Sequence, residues 1–480
     1  MATACASSPL DLDGTVLYRP RRPHETILFQ TILEHLETWM ATLREADPDN
    51  DPIPGYVEEA FRRYITCGDP AHGFGRARCG RCGLDFMVAF SCRGRGLCPA
   101  CSARYMVETA AHLVDDVLPR VPHRQWVVTF PKRVRYFLRE PRHASAVLRI
   151  VHRAMETTIR QASPGAPGDA RVGAVSFLQR FGSSLNPHLH LHDVAADGVF
   201  AWAGEEPEDG QAREVEFFEA TDLTDADIEA LTETIRERVL RYLVRQDLLE
   251  DWDADQMLQW QAHGGFSVHA DTRVEDWDRL GLERLVRYCA RPTFSLQRLH
   301  RIDDETLIYK LPHPDHRGRT EIVLTPHELL QRLADLLPPP RMHRHRYYGC
   351  LAPNAAMRSA VTGTAGPDEE LADRLDDAAH KMGITGEEGP RRSNARWAML
   401  LARIYESLPL QCSRCGAPME IISFITDPDV VTRILDHLGE PTRPPEPAPA
   451  RSPPQIDFGW EIDDVVEGGD HDDLDQTCWP

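Results

Sequence analysis

The sequence predicts an α+β fold: an antiparallel sheet packed by helices, preceded by a cysteine-rich module and followed by a small C-terminal region. Three observations lead there. Strand-like runs at 125–130, 172–181 and 188–200 are interrupted by a helical stretch at 141–161, the strand–helix–strand–strand order of a sheet backed by helices. Six cysteines fall between positions 67 and 101, including two Cys-x-x-Cys pairs. And Asn186-Pro187-His188-Leu189-His190-Leu191-His192 alternates histidine with leucine. In a strand this period of two puts all three imidazoles on one face and both leucines on the other.

Each element follows from a local pattern. Ile27, Leu28, Ile32, Leu33, Leu36 and Met40 recur near the helical period, predicting a helix over 24–43, with a shorter one over 56–64. A helix at 103–117 follows the cysteines. The strand at 125–130 is closed by Pro131. A long helix is expected at 225–245, with its charge run on a solvated face, and a short one at 282–290 ended by Pro292. A strand pair at 306–311 and 321–324 precedes a helix at 326–337, and another helix at 397–410 leads into Cys412-Ser413-Arg414-Cys415.

With 480 residues the chain is long enough for several cores. The expected division is a helical segment (1–60), a cysteine-rich domain (61–105), a mixed strand-and-helix domain (106–362), a linker (363–394), a C-terminal helix with its knuckle (395–440) and a disordered acidic tail (441–480). Residues 1–13 lack the basic start and apolar core of a signal peptide, and no apolar run approaches a membrane span. A cytoplasmic protein without membrane contact is expected.

The net charge of −21 argues against a nucleic-acid partner only if it is evenly placed, and it is not. Residues 456–480 hold nine acidic side chains and no Lys or Arg, so removing them brings −21 to −12. Residues 61–105 hold eight Arg against two Asp, a local +6. Local basic patches therefore say more about partners than the total. Only Lys132, Lys310 and Lys381 are lysines; arginine suits bidentate phosphate contacts, although a genomic bias would give the same excess.

In an intracellular chain, paired Cys-x-x-Cys spacings point to metal rather than disulfides. Cys79, Cys82, Cys98 and Cys101 form two knuckles fifteen residues apart, which predicts one tetrahedral Zn²⁺ site. Cys67 and Cys92 are left over as candidates for a second zinc, with His72 a further ligand candidate, or as buried thiols. Cys412 and Cys415 supply only two ligands; Cys350, His343 and His345 are candidates to complete them. Arg76, Arg78, Arg81, Arg93, Arg95 and Arg104 surround the module, as befits a stiffened basic grip on nucleic acid.

His188, His190 and His192 are candidate ligands of a divalent ion, with a polar surface stripe as the bland alternative. On the neighbouring strand Gln179 and Arg180 are polar among Phe177, Leu178 and Phe181. A candidate nucleophile for phosphoryl transfer is Tyr288. In the helix at 282–290, Leu282, Leu285, Val286 and Cys289 make one apolar stripe; Tyr288 lies at its border, on the side of Arg284 and, further round, Arg291. A boundary tyrosine packed over the core is the alternative, and Tyr309, Tyr347 and Tyr348 are rivals.

These motifs, taken in order, resemble the IS91-type transposases. The likeness spans residues 20–440. It rests on Cys67-Gly68-Asp69; on Ser91-Cys92-Arg93-Gly94-Arg95-Gly96 with Cys98-Pro99-Ala100-Cys101; on Arg124-Gln125-Trp126-Val127, Gln179-Arg180-Phe181-Gly182, His190-Leu191-His192 and Asp197-Gly198; and on Arg287-Tyr288, Arg291-Pro292 and Leu351-Ala352-Pro353-Asn354. The resemblance implies an HUH endonuclease-like catalytic domain behind a zinc-binding domain, and rolling-circle transposition. It implies His190 and His192 as the metal pair, holding Mg²⁺ or Mn²⁺, with His188 outside it; it assigns no third ligand, for which Gln179 and Asp197 are candidates. It implies Tyr288 as the nucleophile. Some members carry two tyrosines four residues apart; here the earlier position is Arg284, so the chain departs toward a single-tyrosine form, and a second subunit or a 3′-hydroxyl would perform the second transfer. Arg93, Arg95, Arg284 and Arg291 are the expected DNA contacts, with single-stranded element ends as substrate and a homo-oligomer among the implied assemblies. The alternatives are a zinc-dependent DNA-binding protein without catalysis, and a replication initiator or relaxase with the same chemistry.

Overall fold

A computed structural model describes residues 22–94, 96–204, 213–315, 317–384, 398–403 and 408–451. It is an α+β protein built on antiparallel sheets. The largest sheet runs, edge to edge, through His345–Gly349, Gly173–Phe181, Pro187–Ala196, His123–Thr129 and Ser267–His269, with Arg273–Val274 pairing beside the last on His123–Thr129. The histidine strand Pro187–Ala196 is therefore central, flanked on both sides, and its backbone is satisfied by two neighbours.

Both faces of this sheet are covered. Leu189 and Leu191 point toward Val147, Val151 and Met155 of helix Pro141–Gln161, with Leu231, Ile235 and Val239 of helix Asp225–Arg245 behind. Fully burying one such leucine contributes about 2 kcal/mol, so the leucines fix which face the histidines take. A one-residue slip would move both leucines to the face of the tyrosine helix and drive the imidazoles into the apolar layer under helix Pro141–Gln161. The opposite face carries Val175, Phe177 and Val194, packed against Ala110, Leu113 and Val114 of helix Pro99–Asp116 and Leu282, Leu285 and Val286 of helix Arg279–Cys289. The histidine face is thus also the face of the tyrosine helix.

The expected single strand at 188–200 is interrupted. Asp197 leaves the ladder to pair with Arg124 at 2.7 and 2.9 Å and with Arg273 at 2.7 Å. Gly198 then opens a separate strand, Gly198–Trp202, in which a Cβ would lie 2.2 Å from the Phe218 carbonyl oxygen. At the other end, Gly182 turns the chain; a Cβ there would meet Asn186 Oδ1 at 2.4 Å.

The N-terminal helix Ile27–Ala46 is capped by Thr26, whose hydroxyl accepts from the Phe29 amide at 3.3 Å. It does not stand apart as a segment of its own. Leu28, Ile32 and Leu36 share a core with Leu299, Leu307 and Leu324 of a small three-stranded sheet and with Leu329 and Leu333 of helix Pro326–Leu336. The stretch expected as a linker contains helix Glu369–Lys381, capped by Asp368. Of the expected acidic tail, residues 441–451 are described; the Ala448 amide donates to the Leu33 carbonyl at 2.7 Å. Positions 452–480 lie outside the described residues. Among the described residues no helix is long and apolar enough to cross a membrane.

The tyrosine helix is held at its start by a buried side chain absent from the sequence expectations. Arg279 donates to the carbonyls of Val114, Leu118 (3.0 Å), Pro119 (3.2 Å) and Gly366 (3.0 Å). Val114 and Leu118 close helix Pro99–Asp116, whose last carbonyls have no intrahelical donors. One guanidinium thus satisfies the end of one helix and fixes the beginning of the next.

Candidate metal and nucleophile site

The cysteines fall into two quartets: Cys67, Cys92, Cys98 and Cys101, and Cys79, Cys82, Cys412 and Cys415, the ligand atoms of each lying within 4.8 Å of one another. This corrects the expected grouping of Cys79, Cys82, Cys98 and Cys101 into one site. The reason is the hairpin between them. Strand Phe74–Cys79 runs outward and Asp85–Ala89 returns antiparallel to it, with Phe74 opposite Ala89. Cys79 and Cys82 are left at the tip, about 20 Å of strand from the base, where Cys67 and Cys92 meet Cys98 and Cys101. Neither His72 nor Cys350, His343 or His345 joins a quartet. Cys350 is instead a buried thiol in the sheet core, pushed up to about 12 by burial.

At the base, Cys67 Sγ lies 3.6 Å from Cys98 Sγ and 3.7 Å from Cys101 Sγ, and Cys92 Sγ 3.5 Å from Cys101 Sγ. Tetrahedral Zn²⁺ with Zn–S bonds near 2.3 Å separates its sulfurs by about 3.8 Å. Cys98 is the N-cap of helix Pro99–Asp116 and Cys101 lies in its first turn, where the helix dipole favours thiolate. The same helix packs on the tyrosine helix, so this quartet anchors one wall of the histidine face.

On that face, His190 lies opposite Thr129 on one neighbour and Gln179 on the other, and His192 opposite Val127 and Phe177. The imidazole centroids stand 5.2 Å apart for His188 and His190, and 4.9 Å for His190 and His192. His188 is taken by Arg135, which donates to its Nδ1. His190 Nδ1–H donates to the His188 carbonyl at 3.2 Å, which fixes the tautomer and leaves Nε2 with a lone pair. Burial, reinforced by His188, pushes the His190 pKa down to about 3, and burial drives His192 well below its usual range. Both rings are neutral at physiological pH, the form that ligates metal.

His192 Nδ1 lies 2.8 Å from the Gln125 amide, which also reaches Cys289 Sγ at 3.6 Å. As placed, Gln125 Nε2 faces Nδ1 and donates to it; turned over, the amide oxygen would accept from Nδ1–H and leave the imidazole Nε2 lone pair free for a metal. That buried Nε2 has no hydrogen-bond partner among the described residues, nor does Gln179 Oε1 on the adjacent strand. A cation would satisfy these two orphaned acceptors, so His190, His192 and Gln179 fit a divalent ion. Asp197, the other third-ligand candidate, is engaged by Arg124 and Arg273.

Tyr288 stands against this group. Its ring is perpendicular (84°) to His192, with centroids 5.5 Å apart. Gln179 Nε2 donates to the Cys289 carbonyl at 2.8 Å and the Tyr288 carbonyl at 3.5 Å, pinning the helix end to the sheet. The expected apolar stripe of Leu282, Leu285, Val286 and Cys289 is buried throughout. Arg291 lies over the Tyr288 ring at 4.7 Å and over Phe181 at 5.6 Å. Arg284, one turn before Tyr288, keeps 59% of its side chain exposed beside Asp278. The rival tyrosines are placed otherwise. Tyr309 stacks on Phe294 in the N-terminal core, Tyr348 packs on His152, and Tyr347 lies on the edge strand beneath Arg358.

Next to the base quartet, Arg93, Arg104, Arg344 and Tyr105 line one cavity, with the Arg344 guanidinium 4.3 Å above the Tyr105 ring. Arg95 lies outside the described residues. Gln125, Arg279, Glu283 and Arg403 were missed by sequence reasoning. Gln125 alone had a signal, a polar residue sharing one strand face with Val127 and Thr129.

Two comparisons bear on this arrangement. The family model described as "Putative transposase" matches residues 173–359, which carry Gln179, His190, His192, Tyr288 and Arg291. The model described as "Transposase zinc-binding domain", of the IS91 type, matches residues 34–130, which carry the base quartet and Gln125. No curated protein and no solved structure matches the chain. The two matched regions follow one another without overlap, in the order in which the structure joins a zinc-binding module to the histidine sheet, and the chain belongs to the IS91-type transposases, enzymes that cut and transfer DNA.

Proposed function

We propose that this transposase nicks single-stranded DNA at element ends through a phosphotyrosine intermediate, with Tyr288 as nucleophile, in a rolling-circle type of transposition. The observation that carries this reading is the contact between the Tyr288 ring and His192, two residues far apart in sequence. Tyr288 Oη attacks the scissile phosphorus and the bond to the 3′-oxygen breaks. The phenol loses its proton and the leaving 3′-oxygen gains one, giving a 5′-phosphotyrosine and a free 3′-hydroxyl. One phosphoester replaces another, so the link conserves the energy needed for rejoining. His190 and His192, with Gln179 as third ligand, would hold Mg²⁺ or Mn²⁺, which would neutralise charge at the phosphate.

The chain's own residues do the rest. Gln179 fixes the helix end that bears the nucleophile, and Gln125 orients His192. Arg291, stacked on the tyrosine ring, is placed to meet the phosphate, with Arg284 one turn before Tyr288 on the exposed side. The cavity of Arg93, Arg104, Arg344 and Tyr105 also holds Glu108, which pairs with Arg104 at 3.0 Å; its remaining guanidiniums beside an aromatic ring suit a single strand.

Tyr288→Phe is expected to abolish covalent attachment to a labelled single-stranded element end in Mn²⁺. Affinity by fluorescence anisotropy should stay within about twofold, because the ring and its packing are kept. Attachment at the wild-type level in this variant refutes the assignment.

A further inference from the structure

The quartet at the hairpin tip joins parts of the chain more than three hundred residues apart. Cys79 Sγ lies 3.5 Å from Cys415 Sγ, and Cys82 Sγ 3.4 Å from Cys412 Sγ. These separations are too long for disulfides, whose sulfurs lie about 2.05 Å apart, and near the roughly 3.8 Å of a tetrahedral zinc site. The two knuckles are built alike. In the first, the Gly83 amide donates to the Cys79 carbonyl at 2.9 Å and the Cys79 amide to the Leu84 carbonyl at 2.8 Å. In the second, the Gly416 amide donates to the Cys412 carbonyl at 2.8 Å and the Cys412 amide to the Ala417 carbonyl at 2.8 Å. Both glycines have positive φ, 72° and 68°, as the turn requires. Strand Met419–Ile425 then completes the module's sheet, pairing along Phe74–Cys79 with Met419 opposite Cys79. The matched zinc-binding region ends at residue 130 and holds only half of this quartet.

The segment that brings Cys412 and Cys415 also brings Arg403. Its guanidinium, 5% exposed, reaches Asp115 of helix Pro99–Asp116 at 2.7 and 3.1 Å, and Glu283 of the tyrosine helix at 2.6 to 3.2 Å. Glu283 is itself buried, and its other partner is Arg287 on the same helix. Without Arg403, two carboxylates would face each other across this helix pair, one of them buried, an arrangement that disfavours the contact.

We infer that the tip quartet is a second zinc site that acts as a clasp: it fastens the C-terminal segment to the zinc module and thereby seats Arg403 between Asp115 and Glu283, holding the tyrosine helix against the histidine strand. Arg403 is a positioning residue here, and its bearing on catalysis rests on the reading of Tyr288 as nucleophile. The clasp itself does not, so its test avoids DNA altogether.

The test uses the full chain purified with zinc. Native mass spectrometry is expected to count two Zn²⁺ in the parent protein and one in the Cys412→Ser/Cys415→Ser double variant. Hydrogen exchange in Arg279–Cys289 should become about tenfold faster in that variant, while strand Pro187–Ala196 keeps its protection. Arg403→Gln leaves all eight quartet cysteines in place; it should keep two Zn²⁺ yet show the same faster exchange, and Arg403→Lys should recover part of the protection. Two Zn²⁺ in the double variant would overturn the site. Unchanged exchange in Arg403→Gln would overturn the link to the tyrosine helix.

Discussion

His192→Ala is expected to slow strand cleavage about 10³-fold, roughly 4 kcal/mol of lost transition-state stabilisation, measured by single-turnover cleavage of a labelled single strand in Mn²⁺. DNA affinity should change by no more than about threefold, since His192 is buried beneath the Tyr288 ring. Two contributions are lost together. One is the orphaned Nε2, for which no protein donor among the described residues substitutes. The other is the perpendicular ring that backs the Tyr288 phenol. His188→Ala should have a much smaller effect, because Arg135 already occupies that imidazole. A His192→Ala protein cleaving within tenfold of the parent would remove the histidine pair from the mechanism.

Cys98→Ser is expected to lower the thermal midpoint by about 10 °C or more and to release one zinc ion. Structural zinc sites supply folding free energy outright, apparent values reaching ~10 kcal/mol in isolated modules, so even a fraction lost in a larger chain shifts the transition by that much. Cys98 is the N-cap of the helix that walls the histidine face, so damage there propagates toward Tyr288. Differential scanning calorimetry with parallel zinc analysis checks both. A variant with unchanged midpoint and zinc content would show that the base quartet does not hold structural metal.

The legible and illegible parts of the fold separate along physical lines. Helices Pro141–Gln161 and Asp225–Arg245 have the bounds expected from sequence because strong signals mark their starts, Pro141 in the first turn and the Thr224–Asp227 capping box. The histidine strand was legible through its strict alternation. Strand His345–Gly349 was not, since every residue of this edge strand is half-buried and no alternation marks it. Helix Glu369–Lys381 read as a linker because Leu371 is its one buried residue.

The site divides the same way. The alternation marked His188, His190 and His192 together and the helix stripe made Tyr288 a candidate among rivals; the pair and the nucleophile came from the family resemblance. Their partners Gln125 and Gln179 matter through register with the histidine strand, and register is fixed by packing rather than by either strand alone. The cysteine spacing announced zinc but not which knuckles meet, because the hairpin tip separates pairs that are near in sequence and joins Cys79 to Cys415. Arg403 and Glu283 carry no local signal, because their pairing depends on the C-terminal segment folding back.

The central claim is that Tyr288 becomes covalently joined to DNA. It is tested most directly by incubating the full-length protein with a single-stranded element end in Mn²⁺, digesting the adduct, and locating the modified peptide by tandem mass spectrometry. The account predicts a nucleotide 5′-phosphate on Tyr288. Strand cleavage without any adduct, or an adduct on Tyr309, Tyr347 or Tyr348, would contradict it.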